Sequence, residues 1–119
     1  MSTATPESMA RALMARAAKE QAALAATECA LRARLPELAR LLRQRFGATQ
    51  VILFGSLAWG RFHQRSDVDL AVAGLAAADL GPATALLEAV AQRTVELFRF
   101  EDLPASFRAR VVDGGEVLL

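Results

Sequence analysis

Leu53–Val72 reads LFGSLAWGRFHQRSDVDLAV, and its two ends are apolar runs. Gln50–Phe54 (QVILF) leads into Gly55 and Ser56; ten residues intervene, and Asp67 and Asp69 then open a second run that ends at Ala73. The first run is short, rich in branched side chains and bounded by Gly47 and Gly55, which predicts a buried strand. The second predicts another strand over Asp67–Ala73. Side chains alternate along a strand, so Asp67 and Asp69 share one face while Val68, Leu70 and Val72 point into the core. Between the strands the residues predict a turn at Gly55-Ser56, a short helical segment over 57–61 and a loop over 62–66 (FHQRS).

Working outward toward the C-terminus, Gly74 to Gly81 is a linker and Pro82 opens a helix whose apolar face is Leu86, Leu87, Val90 and Ala91. Thr94–Phe100 (TVELFRF) alternates and predicts a third strand. Pro104 opens a last helix to about Asp113, with Phe107 and Val111 inward, stopped by Gly114-Gly115. Glu116–Leu119 is a terminal tail or edge strand. Toward the N-terminus, Leu38, Leu41, Leu42 and Phe46 form an amphipathic stripe closed by Gly47, a helix over 36–46. Pro36 biases Leu35 away from the helical region, so a kink or a new helix is expected there. Residues 6–34 form a long helix, with Thr5 as N-cap and Pro6 at the first position. Its apolar face is thin: Met9, Leu13, Leu24 and Leu31 among alanines. Such a helix packs on a partner, on its own symmetry mate or on its own domain. The element order gives an α/β (α+β) fold, a small mixed β-sheet backed by helices with a long N-terminal helix.

Size and composition fit this reading. A chain of 119 residues makes one domain with its own core, and 54% apolar with 23% charged residues is the balance of a soluble globular protein. A net charge of +1 makes no case for nucleic acid or a membrane surface as partner. The lone cysteine, Cys29, allows no internal disulfide and has no metal-ligand spacing. The N-terminus lacks the pattern of a secretory signal, and no run reaches the roughly 18 apolar residues needed to span a bilayer. The expected location is cytoplasmic.

The residue types at the centre point to chemistry. Two carboxylates side by side on a strand repel unless a cation lies between them. A hard divalent ion such as Mg²⁺ takes one or two carboxylates and completes its shell with water and phosphate oxygens. Gly55 lets backbone approach a ligand, and Ser56 can donate its hydroxyl to a phosphate oxygen. Glu96, flanked by Val95 and Leu97 on the third strand, would join the pair if that strand lies beside Asp67–Val72. Three carboxylates can hold two metal ions and support an in-line transfer. Ser66 is expected to cap the turn into the strand, and Arg61 and Arg65 are either contacts to a triphosphate or, as is commoner, surface arginines. Trp59 is expected to pack beneath the turn rather than stack on a base. His63 has no nucleophile partner in view and is expected to be an exposed loop residue.

The Gly-Ser pair, the ten-residue spacer and the DxD motif resemble the signature of the DNA polymerase β-like nucleotidyltransferase superfamily. The chain is most similar to its minimal members, the MNT-domain proteins, over about Leu38 to the C-terminus. TVELFRFEDLPASFRARVVDGGEVLL is similar to their tail, with an acid on a strand, a Leu-Pro turn, a helix and glycine before a hydrophobic end. The resemblance implies an N-terminal helical extension over 1–35 and a minimal nucleotidyltransferase domain over 36–119. It implies Mg²⁺ and a nucleoside triphosphate, ATP as donor, with a nucleoside monophosphate moved to a hydroxyl and pyrophosphate released. Asp67, Asp69 and Glu96 are then the catalytic and metal-binding residues, and Gly55, Ser56, Ser66 and Arg65 the nucleotide-binding ones. Glu96 stands where aspartate is commoner, its extra methylene shifting the carboxylate by ~1.5 Å. Leu57 and Trp59 stand where many relatives carry basic or small polar residues.

Many MNT (MntA-like) proteins are antitoxins paired with a HEPN-domain ribonuclease toxin, and active ones attach AMP to a tyrosine of that toxin. A HEPN toxin is thus the implied partner, recruited by the N-terminal helix, which also offers a route to a homo-oligomer. Two other functions compete: a non-catalytic antitoxin acting by occlusion, and a small-molecule nucleotidyltransferase of the aminoglycoside type. The second is disfavoured by the lack of room for an acceptor-binding domain.

Overall fold

The structure, a computed structural model, describes residues 5–119. Helix α1 spans Pro6–Phe46 and opens on a capping box: the Thr5 hydroxyl accepts the Ser8 N–H while the Ser8 hydroxyl accepts the Thr5 N–H. It closes at Gly47, whose φ of 74° turns the chain out of the helix and lets its N–H reach Arg43 O. At 1.5 Å per residue a helix of 41 residues is about 60 Å long. This sets the 65 Å length of a molecule only 30 by 20 Å across.

No new helix begins at Pro36; α1 runs through it. An internal proline costs about 3 kcal/mol. Leu31 and Leu35 before it, and Leu38 and Leu42 after it, are all buried in one core, and each buried leucine contributes about 1.5–3 kcal/mol. Packing on both sides of the proline outweighs its local penalty. The half of α1 before Leu31 is different. From Pro6 to Ala30 every residue is exposed except Leu24 and Glu28, which are half-buried, and Met9, Leu13 and Met14 face solvent.

The four strands are β1 (Gln50–Phe54), β2 (Val68–Ala73), β3 (Val95–Arg99) and β4 (Glu116–Val117), in the order β3-β2-β1-β4. The β1–β2 and β1–β4 pairs are antiparallel, and β2–β3 is parallel through a crossover containing α2 (Leu80–Ala91). The expected tail thus pairs as an edge strand. Val51, Leu53, Leu70, Val72, Val95 and Leu97 face α1 and α2 in the main core. Ile52, Phe54 and Ala71 face the other way, against Val111 of α3 (Ala105–Gly114) and the half-buried Phe100, Leu103 and Phe107. The result is the expected small mixed sheet with helices packed on it. Among the described residues no helix is long and apolar enough to cross a membrane.

Candidate active site

The site lies on the α3 side of the sheet, where β1 ends and β2 and β3 begin. Two local features differ from the sequence expectation. Strand β2 starts at Val68, so Asp67 stands just before it. Residues 56–60 form a run of hydrogen-bonded turns rather than a regular helix, with the Trp59 N–H on Gly55 O at 3.0 Å and the Arg61 N–H on Ser56 O at 2.9 Å. The run is too short for propagation to offset the cost of nucleating a helix. Leu57, fully buried in the main core, pins it to the domain.

Gly55 has a φ of 80°, in the left-handed region, and a Cβ built there would lie 2.2 Å from Asp69 Oδ2. The Asp69 carboxylate therefore occupies the space of a side chain at position 55. That is the physical reason for glycine here. The register explains the meeting: Phe54 pairs with Asp69 across β1 and β2, and Asp69 pairs with Glu96 across β2 and β3. The parallel register puts Asp69 and Glu96 side by side on one face of adjacent strands. Burial, then the charges of Glu96 and Asp67, push the Asp69 carboxyl up to about 6. Glu96 is exposed at the rim, and Asp67 is half-buried.

Among the described residues no three Asp, Glu, His or Cys side chains converge into a ready-made metal cage. The structure closes the Asp69–Glu96 pair and leaves Asp67 beside it, near enough to raise Asp69. Two carboxyl groups this close share either a proton or a cation. The donor set is hard oxygen throughout, and it fits a Mg²⁺ ion completing its shell from phosphate and water.

The remaining expected residues separate by environment. Ser66 is buried, 3% exposed; its Oγ lies 2.8 Å from Ser56 Oγ and accepts the His63 N–H at 2.8 Å. Ser66 therefore sits beneath the turn, while Ser56 is half-buried above it. Arg61 and Arg65 are exposed, and the Arg65 N–H bonds His63 Nδ1 at 3.1 Å. His63 is the exposed loop residue expected. Trp59 packs as expected, tilted against Phe54 at 6.5 Å, with Nε1 donating to Gly114 O at 2.8 Å.

One residue of this network carries no signal in the sequence. Arg93, between α2 and β3, donates to the backbone carbonyls of His63, Gln64 and Ser66 and stacks over the Phe62 ring. An isolated arginine before a strand reads as surface charge. Its hydrogen bonds span 27 to 30 residues and arise only when the sheet closes.

The family model described as polymerase beta, nucleotidyltransferase, matches residues 37–119. The chain belongs to this family. Among solved structures, the polymerase β-type nucleotidyltransferase is similar to a minimal nucleotidyltransferase at 31% identity and a TM-score of 0.65, over 72% of this chain and 90% of that one. It is also similar to a toxin–antitoxin crystal structure with AMP-PNP, at 25% identity and a TM-score of 0.65, over 71% of this chain and 72% of that one. A mutant toxin–antitoxin MntA–HpeT structure, at 21% identity and a TM-score of 0.63 over 71% of each chain, shares the fold. No curated protein is a significant match.

Proposed function

We propose that this nucleotidyltransferase transfers AMP from ATP to a hydroxyl of a partner protein, and that the partner is a HEPN-type toxin which it restrains as antitoxin. The observation that carries the transfer chemistry is the in-register Asp69–Glu96 pair, with Gly55 opened for the Asp69 carboxylate. The antitoxin role is supported by the similarity to toxin–antitoxin structures, one of them with AMP-PNP.

In this reading the Ser56 hydroxyl donates to a phosphate oxygen of the nucleotide, and Arg65 lies on the open side for the outer phosphates. Asp67, Asp69 and Glu96 would hold Mg²⁺, as one ion or two, which supplies charge neutralisation for the phosphates when bound. The acceptor oxygen attacks the α-phosphorus; the bond to the bridging oxygen breaks, and pyrophosphate leaves with the electron pair. In the same reading Glu96, an exposed carboxylate, takes the acceptor's proton as the new bond forms.

The test is to incubate the chain with ATP, Mg²⁺ and the product of the neighbouring gene, and to weigh both proteins. An AMP-sized mass gain on the partner, lost in Asp67→Asn and Asp69→Asn, is expected. Undiminished transfer by those variants would falsify the assignment. The second reading, neutralisation by occlusion, is favoured by the exposed half of α1, where Met9, Leu13 and Met14 lie open to a partner or a second copy. It requires that the aspartate variants still neutralise and that deletion of residues 1–30 abolishes neutralisation.

A further inference from the structure

The hydroxyl of Ser56 is useful to an anionic ligand only as a donor, so where its proton points matters. A serine hydroxyl has one proton and two lone pairs. Ser66 Oγ accepts the His63 N–H, and the only other partner it has among the described hydrogen bonds is Ser56 Oγ, 2.8 Å away. Because Ser66 is 3% exposed, water does not serve it, and a buried O–H left without an acceptor costs free energy. The 2.8 Å separation of the two oxygens lets either hydroxyl donate to the other; satisfying the buried Ser66 proton selects Ser66 as donor to Ser56, which leaves the Ser56 proton free for a ligand. Each donor in the series His63 N–H, Ser66 O–H, Ser56 O–H strengthens the next.

This order depends on holding the 62–66 loop in place. Arg93 does so from outside it. Its Nε donates to Ser66 O, and its Nη2 to Gln64 O at 2.8 Å and His63 O at 3.2 Å. The guanidinium carbon sits 4.8 Å from the centroid of the Phe62 ring. Among the described residues Arg93 makes no ion pair, so its charge is met by carbonyl dipoles of this one loop. A planar fork of donors can bridge three carbonyls; an ammonium cannot do so in that geometry.

We propose that Arg93 and Ser66 are positioning residues that present the Ser56 hydroxyl as a proton donor to an anionic oxygen of the nucleotide. The proposal rests on the nucleotide-binding role of the Gly55-Ser56 turn and adds what holds that turn in its donor state. Neither residue touches the ligand.

The experiment is a double-mutant cycle, read by calorimetric titration with Mg²⁺ and AMP-PNP. Ser56→Ala, Ser66→Ala and Arg93→Ala are each expected to weaken binding by about 10- to 100-fold, the worth of one hydrogen bond to a charged group. Combined with Ser56→Ala, the other two should weaken it no further, because they act through the same proton. Losses that add overturn the proposal, since a residue that merely supports the fold does not need Ser56 to matter. Ser66→Ala removes one oxygen and opens little space, so it decides the question if Arg93→Ala does not fold. Amide hydrogen exchange supplies a ligand-free arm: Arg93→Ala should speed exchange in 56–61 as well as 62–66, and a change confined to 62–66 overturns the relay. A wild-type chain that binds no nucleotide overturns the ligand assignment itself, an outcome distinct from additive losses in a chain that binds.

Discussion

On the side of the sheet that meets α1 and α2, Val51, Leu53, Leu70 and Val95 are all buried in one continuous core. On the other side the same strands bury Ile52, Phe54 and Ala71 under α3, but carry Asp69 and Glu96 beside them, uncovered by any helix. One face of β2 therefore supports the fold with Leu70 while its neighbour Asp69 stays half-buried among like charges. The alternation of a strand lets adjacent residues be selected for opposite ends: stability on one face, chemistry on the other. If that division holds, substitutions on the two faces should separate activity from stability.

The largest effect expected is on the open face. Asp69→Asn should lower AMP transfer by at least about 10²–10³-fold, the scale on which losing one charge-stabilising group slows an enzyme. It should not lower stability, because a neutral amide relieves the repulsion that raises the Asp69 carboxyl. Steady-state transfer rates and a thermal melt of the same preparation check both halves. A variant that loses activity by unfolding would erase the distinction between the faces.

Leu70→Ala is the mirror experiment. Leu70 is fully buried between β1 and β3, and its truncation should cost about 2–5 kcal/mol in urea unfolding. Transfer per folded molecule should change little. Gly55→Ala comes next and crosses the divide. The added Cβ meets Asp69 Oδ2 and the φ of 80° disfavours any L side chain, so about 1–2 kcal/mol of stability should be lost together with nucleotide affinity. Retention of affinity would show that the carboxylate has room to move aside.

How much of this division is legible in the sequence follows from the range of the interactions. The bounds of β1 and the burial of Leu38, Leu41 and Leu42 follow from local period and composition, and so does the shared face of Asp69 and its apolar neighbours' opposite one. Glu96 beside Asp69 is a conditional inference, decided by the parallel register of β2 and β3. Pro36 misleads because local bias argues for a break, while Leu31 and Leu35 before it and Leu38 and Leu42 after it are held by contacts distant in sequence. Arg93 and the Trp59–Gly114 bond are invisible for the same reason, since they join residues 27 to 55 positions apart.

A smaller effect is expected from pH. The Asp69 carboxyl is pushed up to about 6 from 3.8, so the folded chain keeps a proton there that the unfolded chain releases near pH 4. The stability linked to that proton is full below about pH 4 and is lost as pH rises through about 6. Metal-free protein should therefore melt lower at pH 7.5 than at pH 5 by an amount worth about 1 kcal/mol, less than the bare shift implies because solvent screens a half-buried group. Asp69→Asn should flatten this part of the profile. A slope unchanged in that variant would assign the pH dependence elsewhere.

The smallest effect should come from Trp59→Phe. The indole N–H bonds Gly114 O at the end of α3, and its ring tilts against Phe54, which phenylalanine can still do. A neutral hydrogen bond is worth about 1 kcal/mol net. Here both partners are exposed, so water can take the place of the lost donor at Gly114. A cost of about 0.5 kcal/mol in urea unfolding, with nucleotide affinity within about twofold of wild type, is therefore expected. The contrast with Leu70→Ala is the point of the measurement. Both residues lie close to the DxD segment, but one is sealed in the core and the other rims an open cleft. Should Trp59→Phe cost as much as Leu70→Ala, the turn would be clamped to α3 as firmly as the strands are to their core, and the open face would owe its shape to packing rather than to its charges.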